Sequence, residues 1–232
     1  MRETRTYLTV RGLIDMERKI HASEYGICFW SMGTFTSFLK NGKIRSKKLL
    51  ALFQKDRTTY LKLVENGIWI PLPQIDFEDY CIKIKDLGEE FDDRWEKVLE
   101  YDGFNLEITD GMWISGLGSF LKFDEASYQG EGNEYTSDFG MKYFDSNKER
   151  WQTTLNGYKI YRDVHVDIPS GKYLLNIKGY ARKEMIDVRV DKDAVNYGYQ
   201  LELVKTDGFE GSPNPREDEY DFNIGGIIRA RK

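Results

Sequence analysis

The sequence predicts an α+β chain that is mainly β, with a C-terminal antiparallel β-sandwich of jelly-roll type preceded by a smaller N-terminal α/β segment. Three observations lead there. Glycine is plentiful (21) and proline scarce (5) in a chain of 232 residues, as suits a turn-rich β protein. Short runs of alternating apolar and polar residues recur along the C-terminal half. Longest of these is the stretch from Tyr158 to Tyr180. In it Tyr158, Ile160, Val164, Val166 and Ile168 share one parity, and after Pro169-Ser170-Gly171 the pattern resumes at Tyr173, Leu175 and Ile177. This reads as two strands joined by a turn, a hairpin burying one side.

The elements follow in order. Tyr7 to Val10 is a short strand candidate. Ile27 to Trp30 is a compact apolar run, and Met32, Phe35, Phe38 and Leu39 follow at near-helical spacing until Asn41-Gly42. Ser46 to Glu65 reads as helical, with Ser46 as a first cap and Asp56 placed to cap a second helix. Ile68 to Ile70 is strand-like, and Pro71-Leu72-Pro73 forbids helix and marks a boundary. Tyr80 to Ile84 is a strand. Phe91, Trp95, Val98 and Leu99 then fall on one face of a helix whose first turns carry Glu89, Glu90, Asp92 and Asp93, where the macrodipole favours negative charge. Phe104 to Ile108 alternates, and Asp110-Gly111 before Met112 to Ser115 signals a second hairpin. Phe139 to Tyr143 and Tyr197 to Leu203 are further strands. Gly208 to Asp221 is a long surface loop, and the last residues, FNIGGIIRARK, look strand-like.

Charge divides the chain. Residues 1–73 hold 13 Lys+Arg against 6 Asp+Glu, residues 74–150 hold 8 against 20, and residues 151–232 hold 13 against 13, which together give the net −5. The expected organisation is therefore a basic N-terminal α+β segment, 1–73, and a segment 74–232 in which an acidic helix precedes the sandwich. The simplest use of the asymmetry is docking of the basic face on the acidic one. Cys28 and Cys81 lie in apolar runs, as buried free thiols do. The leading MRETRTYLTVRG has no apolar core of a secretory signal, and no apolar run reaches the ~20 residues of a membrane helix, so a cytoplasmic location is expected.

Chemistry is sparse. Among the two histidines, His165 sits between Asp163 and Asp167, where a raised-pKa acid or a metal ligand is conceivable and a solvated strand residue is the plainer reading. His21 has no evident partner. No Walker loop, dinucleotide fingerprint or zinc spacing occurs, and no catalytic residue, metal site or cofactor is expected.

The function expected is non-enzymatic binding of a protein partner, with the acidic surface steering a basic one. Its contact residues would be Glu89, Glu90 and Asp93, with Trp95, Trp113 and Tyr128 as aromatic anchors. In type, though not by any motif, such a small acidic chain resembles bacterial immunity proteins, which neutralise toxins and suggest an immunity or inhibitor role. One alternative is a carbohydrate- or small-ligand-binding sandwich with Tyr197, Tyr199 and Trp113 as exposed platforms. Another is a regulator binding nucleic acid through Arg45, Lys47, Lys48, Lys55 and Arg57; the acidic segment opposes it.

Overall fold

The computed structural model describes residues 18–209, 211 and 213–231. The strand expected at Tyr7 to Val10 lies outside them. The described chain is mainly β, with two multi-stranded sheets and few helices, as the sequence predicts. In order the elements are β1 (Arg18–His21), β2 (Gly26–Trp30), α1 (Met32–Asn41), α2 (Leu49–Lys55), α3 (Arg57–Glu65), β3 (Trp69–Pro73), β4 (Asp79–Ile84) and β5 (Trp95–Ile108). Then come β6 (Met112–Gly116), β7 (Asn133–Thr136), β8 (Lys142–Asp145), β9 (Glu149–Thr153), β10 (Lys159–Val166), β11 (Gly171–Arg182), β12 (Tyr197–Thr206) and α4 (Ile224–Ala230). Among the described residues, a five-stranded sheet runs β1-β4-β12-β11-β5 and a seven-stranded sheet runs β3-β2-β6-β10-β9-β8-β7. All pairings are antiparallel except β4 with β12.

The two sheets face each other over one core, in which Phe29, Ile114 and Val166 from one meet Ile82, Leu175 and Leu201 from the other. A second core lies on the far face of the seven-stranded sheet, where α1 to α3 cover a cluster that includes Trp30, Phe53, Trp69, Trp113 and Phe120. Strand β2 is buried on both faces, so it reads as an unbroken apolar run: Ile27 and Phe29 enter the first core, Cys28 and Trp30 the second. Both cysteines are buried, as expected.

Several expectations need correction. The Tyr158 to Tyr180 stretch is not a hairpin: β10 belongs to the seven-stranded sheet and β11 to the five-stranded one. Asp110-Gly111 likewise joins β5 and β6 in different sheets. The two crossings run side by side, because β11 pairs with β5 and β10 with β6. Together they form one antiparallel ribbon folded over the core. Ser170 Oγ donates to the Thr109 carbonyl at 2.6 Å and His165 Nε2 to the Asp110 carbonyl at 2.9 Å, tying one crossing to the other. Gly111, at φ +86°, has His165 Nε2 2.4 Å from where a Cβ would stand, so only glycine fits. Apolar parity is the same on both sides of each break because both halves face one core; that continuity imitates a hairpin.

The acidic helix over Phe91 to Glu100 is also absent. Residues from Trp95 onward are β5, and Glu89 to Arg94 cross the outer face of the five-stranded sheet, where Phe91 stacks on Tyr180 at 4.6 Å. A register shift in the β5–β11 pairing, between Gly179 and Tyr180, flips the strand's parity. Trp95 therefore points outward, with Cys81, and Leu99 inward, into the main core. Of the four residues that look like one helix face, Phe91 precedes the strand and the other three lie on two faces of a bulged strand. The final residues are helix α4 rather than a strand, capped by Asn223, whose side chain accepts from Gly226 N at 2.8 Å.

Helices α2 and α3 form as two, and Asp56 caps the second by accepting from Thr59 N at 3.0 Å. Pro71 and Pro73 do not separate lobes: they lie in β3, an edge strand, which is where proline is tolerated. Residues before and after position 73 share both sheets through the β1–β4 and β2–β6 pairings. The charge asymmetry is met in part by surface ion pairs, Lys40–Glu125 at 3.9 Å and Lys47–Asp124 at 3.3 Å. Among the described residues no helix is long and apolar enough to cross a membrane.

Candidate functional site

The pairing register places one end of every strand of the five-stranded sheet together: His21 opposite Asp79, Tyr80 opposite Tyr197, Tyr197 opposite Ala181, and Ala181 opposite Glu96. Loops leaving this end carry residues 74–78 and 183–196. Because β1 ends against the β10 side of the other sheet, the turn 154–158 reaches the same place. Between them opens a cleft of about 530 Å³, lined among others by His21, Phe77, Asp79, Tyr158, Val188 and Val195. That lies within the usual range for ligand pockets, about 300–1,000 Å³.

Its floor is a three-residue constellation. Asp79 Oδ1 is 2.7 Å from His21 Nδ1, and Asp79 Oδ2 accepts from the Tyr158 hydroxyl. A carboxylate only accepts, so the imidazole proton is on Nδ1. Burial, reinforced by the bond to Asp79, pushes the Tyr158 phenol above its usual range, so it stays protonated and donates. His21 Nε2 makes no hydrogen bond among the described residues and is open rather than sealed. Phe77 stands edge-on to His21 at 4.5 Å. The turn holding Tyr158 is closed by Thr154 Oγ1, which accepts from Tyr158 N at 3.1 Å. The 183–196 loop is fastened at its base. Asn196 bonds both the N–H and the carbonyl of Ile186 at 2.9 Å, Arg182 Nε donates to Val195 O at 2.8 Å, and Lys19 Nζ to Asp193 O.

A His–Asp pair is the orienting half of a nucleophilic triad, but among the described residues no serine or cysteine lines the cleft, and the Thr154 hydroxyl is engaged by its turn. Among the described residues no group of three or more His, Cys, Asp or Glu is placed to hold a metal.

Large apolar side chains surround this cleft and point into solvent. Phe77 is 55% exposed, Tyr25 64%, Leu155 76% and Val190 85%. Tyr25 contacts Phe77 at 5.8 Å, and it and its neighbour Glu24 hold left-handed backbone at φ +56° and +53°, a strained geometry for non-glycine residues. A second cleft, about 790 Å³, lies on the other side of Tyr25 and is walled largely by polar residues such as Gln54, Glu217 and Asp218. Among the described residues no comparable constellation converges on its floor.

The residues singled out in the sequence are scattered. Glu89 is committed to the fold, pairing with Arg18 at 2.8 and 3.2 Å and accepting from Ile84 N at 2.8 Å. Glu90 and Asp93 are exposed, and Asp93 neighbours the start of the 183–196 loop. The three aromatic anchors are corrected: Trp95, Trp113 and Tyr128 are all buried, so none offers a surface. Tyr197 and Tyr199 are buried with Trp113, which removes the sugar platform built on these rings. Arg45, Lys47, Lys48, Lys55 and Arg57 are exposed around α2. His165 is no solvated strand residue, since it packs on Trp113 at 5.0 Å and braces the sheet crossing.

Tyr128 belongs instead to a sealed network. Asp163, fully buried beside a register shift in the β9–β10 pairing, accepts from Tyr128 Oη at 3.1 Å, Ser119 Oγ at 3.0 Å and Arg150 Nη1 at 3.0 Å. Nothing local in the sequence links His21, Asp79 and Tyr158: the β1–β4 register joins the first two, and Tyr158 comes from the turn before β10. Comparison with family models, curated proteins and solved structures returned no match.

Proposed function

We propose that this chain is a non-enzymatic protein-binding module that meets its partner with the loop end around the His21–Asp79–Tyr158 cleft. The observation that carries the reading is the gathering of exposed Phe77, Tyr25, Leu155, Val188 and Val190 about one cleft. Clustered exposed apolar groups with a polar surround are the signature of an interaction site, and hot spots favour aromatic anchors. The strained Glu24–Tyr25 backbone, which holds an aromatic ring out in water, supports it further. Glu90 and Asp93 supply the acidic contribution to a basic partner, and an inhibitor or immunity role is the specific form this binding takes.

The test is quantitative affinity capture with the wild type and with a Phe77→Asp/Val190→Asp double variant. Both substituted positions are solvent-exposed, so folding is retained. The reading expects a specific captured protein whose recovery falls at least tenfold in the variant, and falls less, in a salt-dependent way, in Glu90→Lys/Asp93→Lys. Equal recovery by the wild type and the apolar double variant overturns it.

A further inference from the structure

We infer that the cleft is a pocket for an aromatic ring bearing an N–H or O–H donor, such as an indole or a phenol. The inference rests on the loop end being the binding face, and it names what the face grips. The argument is one of hydrogen-bond direction. Asp79 has one oxygen facing His21 Nδ1–H and the other facing the Tyr158 hydroxyl. Each of those groups has spent its donor on the carboxylate. Beyond those bonds the Tyr158 oxygen presents its lone pairs, and an imidazole whose one proton is held on Nδ1 by Asp79 presents the Nε2 lone pair. The floor therefore asks an occupant for donors.

The walls ask for something flat and apolar. Phe77 is fixed edge-on to His21, and Val188, Ala194 and Val195 add apolar wall, with the polar Glu78, Asn156, Arg189 and Lys192 also lining the cleft. Val195 is buried, and the loop carrying it is fastened by Asn196 and Arg182, so the wall is preformed. An apolar ring with no donor would fill the walls yet strip water from two acceptors without replacing it, which is a net cost. A ring with a donor satisfies both demands.

The experiment uses the full chain and four probes, followed by chemical shifts in two-dimensional NMR: indole, phenol, 1-methylindole and benzene. Indole and phenol are expected to bind saturably at His21, Phe77 and Tyr158. 1-Methylindole and benzene should bind at least tenfold more weakly. Tyr158→Phe and His21→Phe should each narrow the indole-to-methylindole ratio by about threefold or more, and because the ligand pair itself removes the donor, the ratio can be read in wild-type protein even where a variant folds poorly.

N-acetyltryptophanamide separates the sources. Binding as tight as indole's assigns the pocket to a tryptophan or tyrosine presented by a protein, and binding tenfold weaker assigns it to a free small molecule. The inference is overturned if indole shows no saturable binding at these residues up to 10 mM, a ceiling roughly at the weak end of ordinary binding, or if 1-methylindole binds as well as indole. Failure here with intact partner capture leaves the protein-binding reading standing, and the converse also holds, so the two fail separately.

Discussion

Two aspartates in this chain do the same chemistry in opposite surroundings. Asp163 accepts from Tyr128, Ser119 and Arg150 inside the aromatic core, with no exposed surface. Asp79 accepts from Tyr158 and His21 on the floor of an open cleft. The sealed site matches a full positive charge to the carboxylate and uses its polar atoms on one another, which is what a buried network requires. At the open site an imidazole nitrogen is left over. A satisfied polar cluster maintains a fold; one with spare capacity facing a cavity can meet something else.

The comparison can be broken most forcefully at Asp163. Asp163→Ala takes one of its two carboxylates from the buried Arg150, Asp145 remaining, and leaves the Tyr128 and Ser119 hydroxyls without their acceptor, so a loss of about 3–5 kcal/mol in urea unfolding is expected. A loss below about 1 kcal/mol would mean that the network is wetter than its geometry implies. Next in size is Tyr128→Phe, which removes one buried bond to Asp163 and should cost about 1–2 kcal/mol. The matched change at the open site, Tyr158→Phe, should cost under about 1 kcal/mol, since water can replace the lost hydroxyl at Asp79. Similar values for the two tyrosines would erase the distinction between sealed and open.

Alkaline titration gives a finer test. Burial raises both the Tyr128 and the Tyr158 phenols above their ordinary value of 10.0. For a group whose folded value is raised, the stabilisation is fully present below the unfolded value and is lost as pH rises through the folded one. Stability should therefore begin to fall above about pH 10. Both phenols should resist ionisation while the chain is folded, and Tyr128, in the sealed site, should resist it more than Tyr158. Ultraviolet difference spectra of Tyr128→Phe and Tyr158→Phe, read against circular dichroism, separate the two. The smallest expected effect is that of Val190→Asp on stability, within about 0.5 kcal/mol, because the side chain is solvated already.

Much of the fold was legible where one residue's neighbours decide its state. Asp56 before a helical run, the wholly apolar Ile27 to Trp30 and the alternation at Tyr173 to Ile177 all meant what they suggested. Failures came where a strand changed partner or parity. Ile108 and Met112 belong to different sheets, and Trp95 and Leu99 to different faces, yet neither switch leaves a local mark beyond a glycine or an extra residue. The candidate site suffered most, since His21 and Asp79 meet only through strand register and Tyr158 arrives from the second sheet. Trp113 and Tyr128, proposed as surface anchors, were core because the seven-stranded sheet is covered on both sides, and Trp95 because Phe91 and Val195 cover it on the outer face of the other sheet.

The two ends of that sheet differ in what they offer a newcomer. Pro71 and Pro73 occupy equivalent positions along β3, where a backbone N–H would face outward from β2, so that margin has lost two donors. At the other margin β7 is exposed along its whole length and carries no proline. Growth of this sheet by a further strand is thus polar: blunt beside Pro71 and Pro73, open beside Tyr135. Any oligomer, fibril or swapped form that this chain makes through this sheet's backbone hydrogen bonds would be one-ended, and a proline placed at Tyr135 or Glu134, whichever N–H points outward, would stop it.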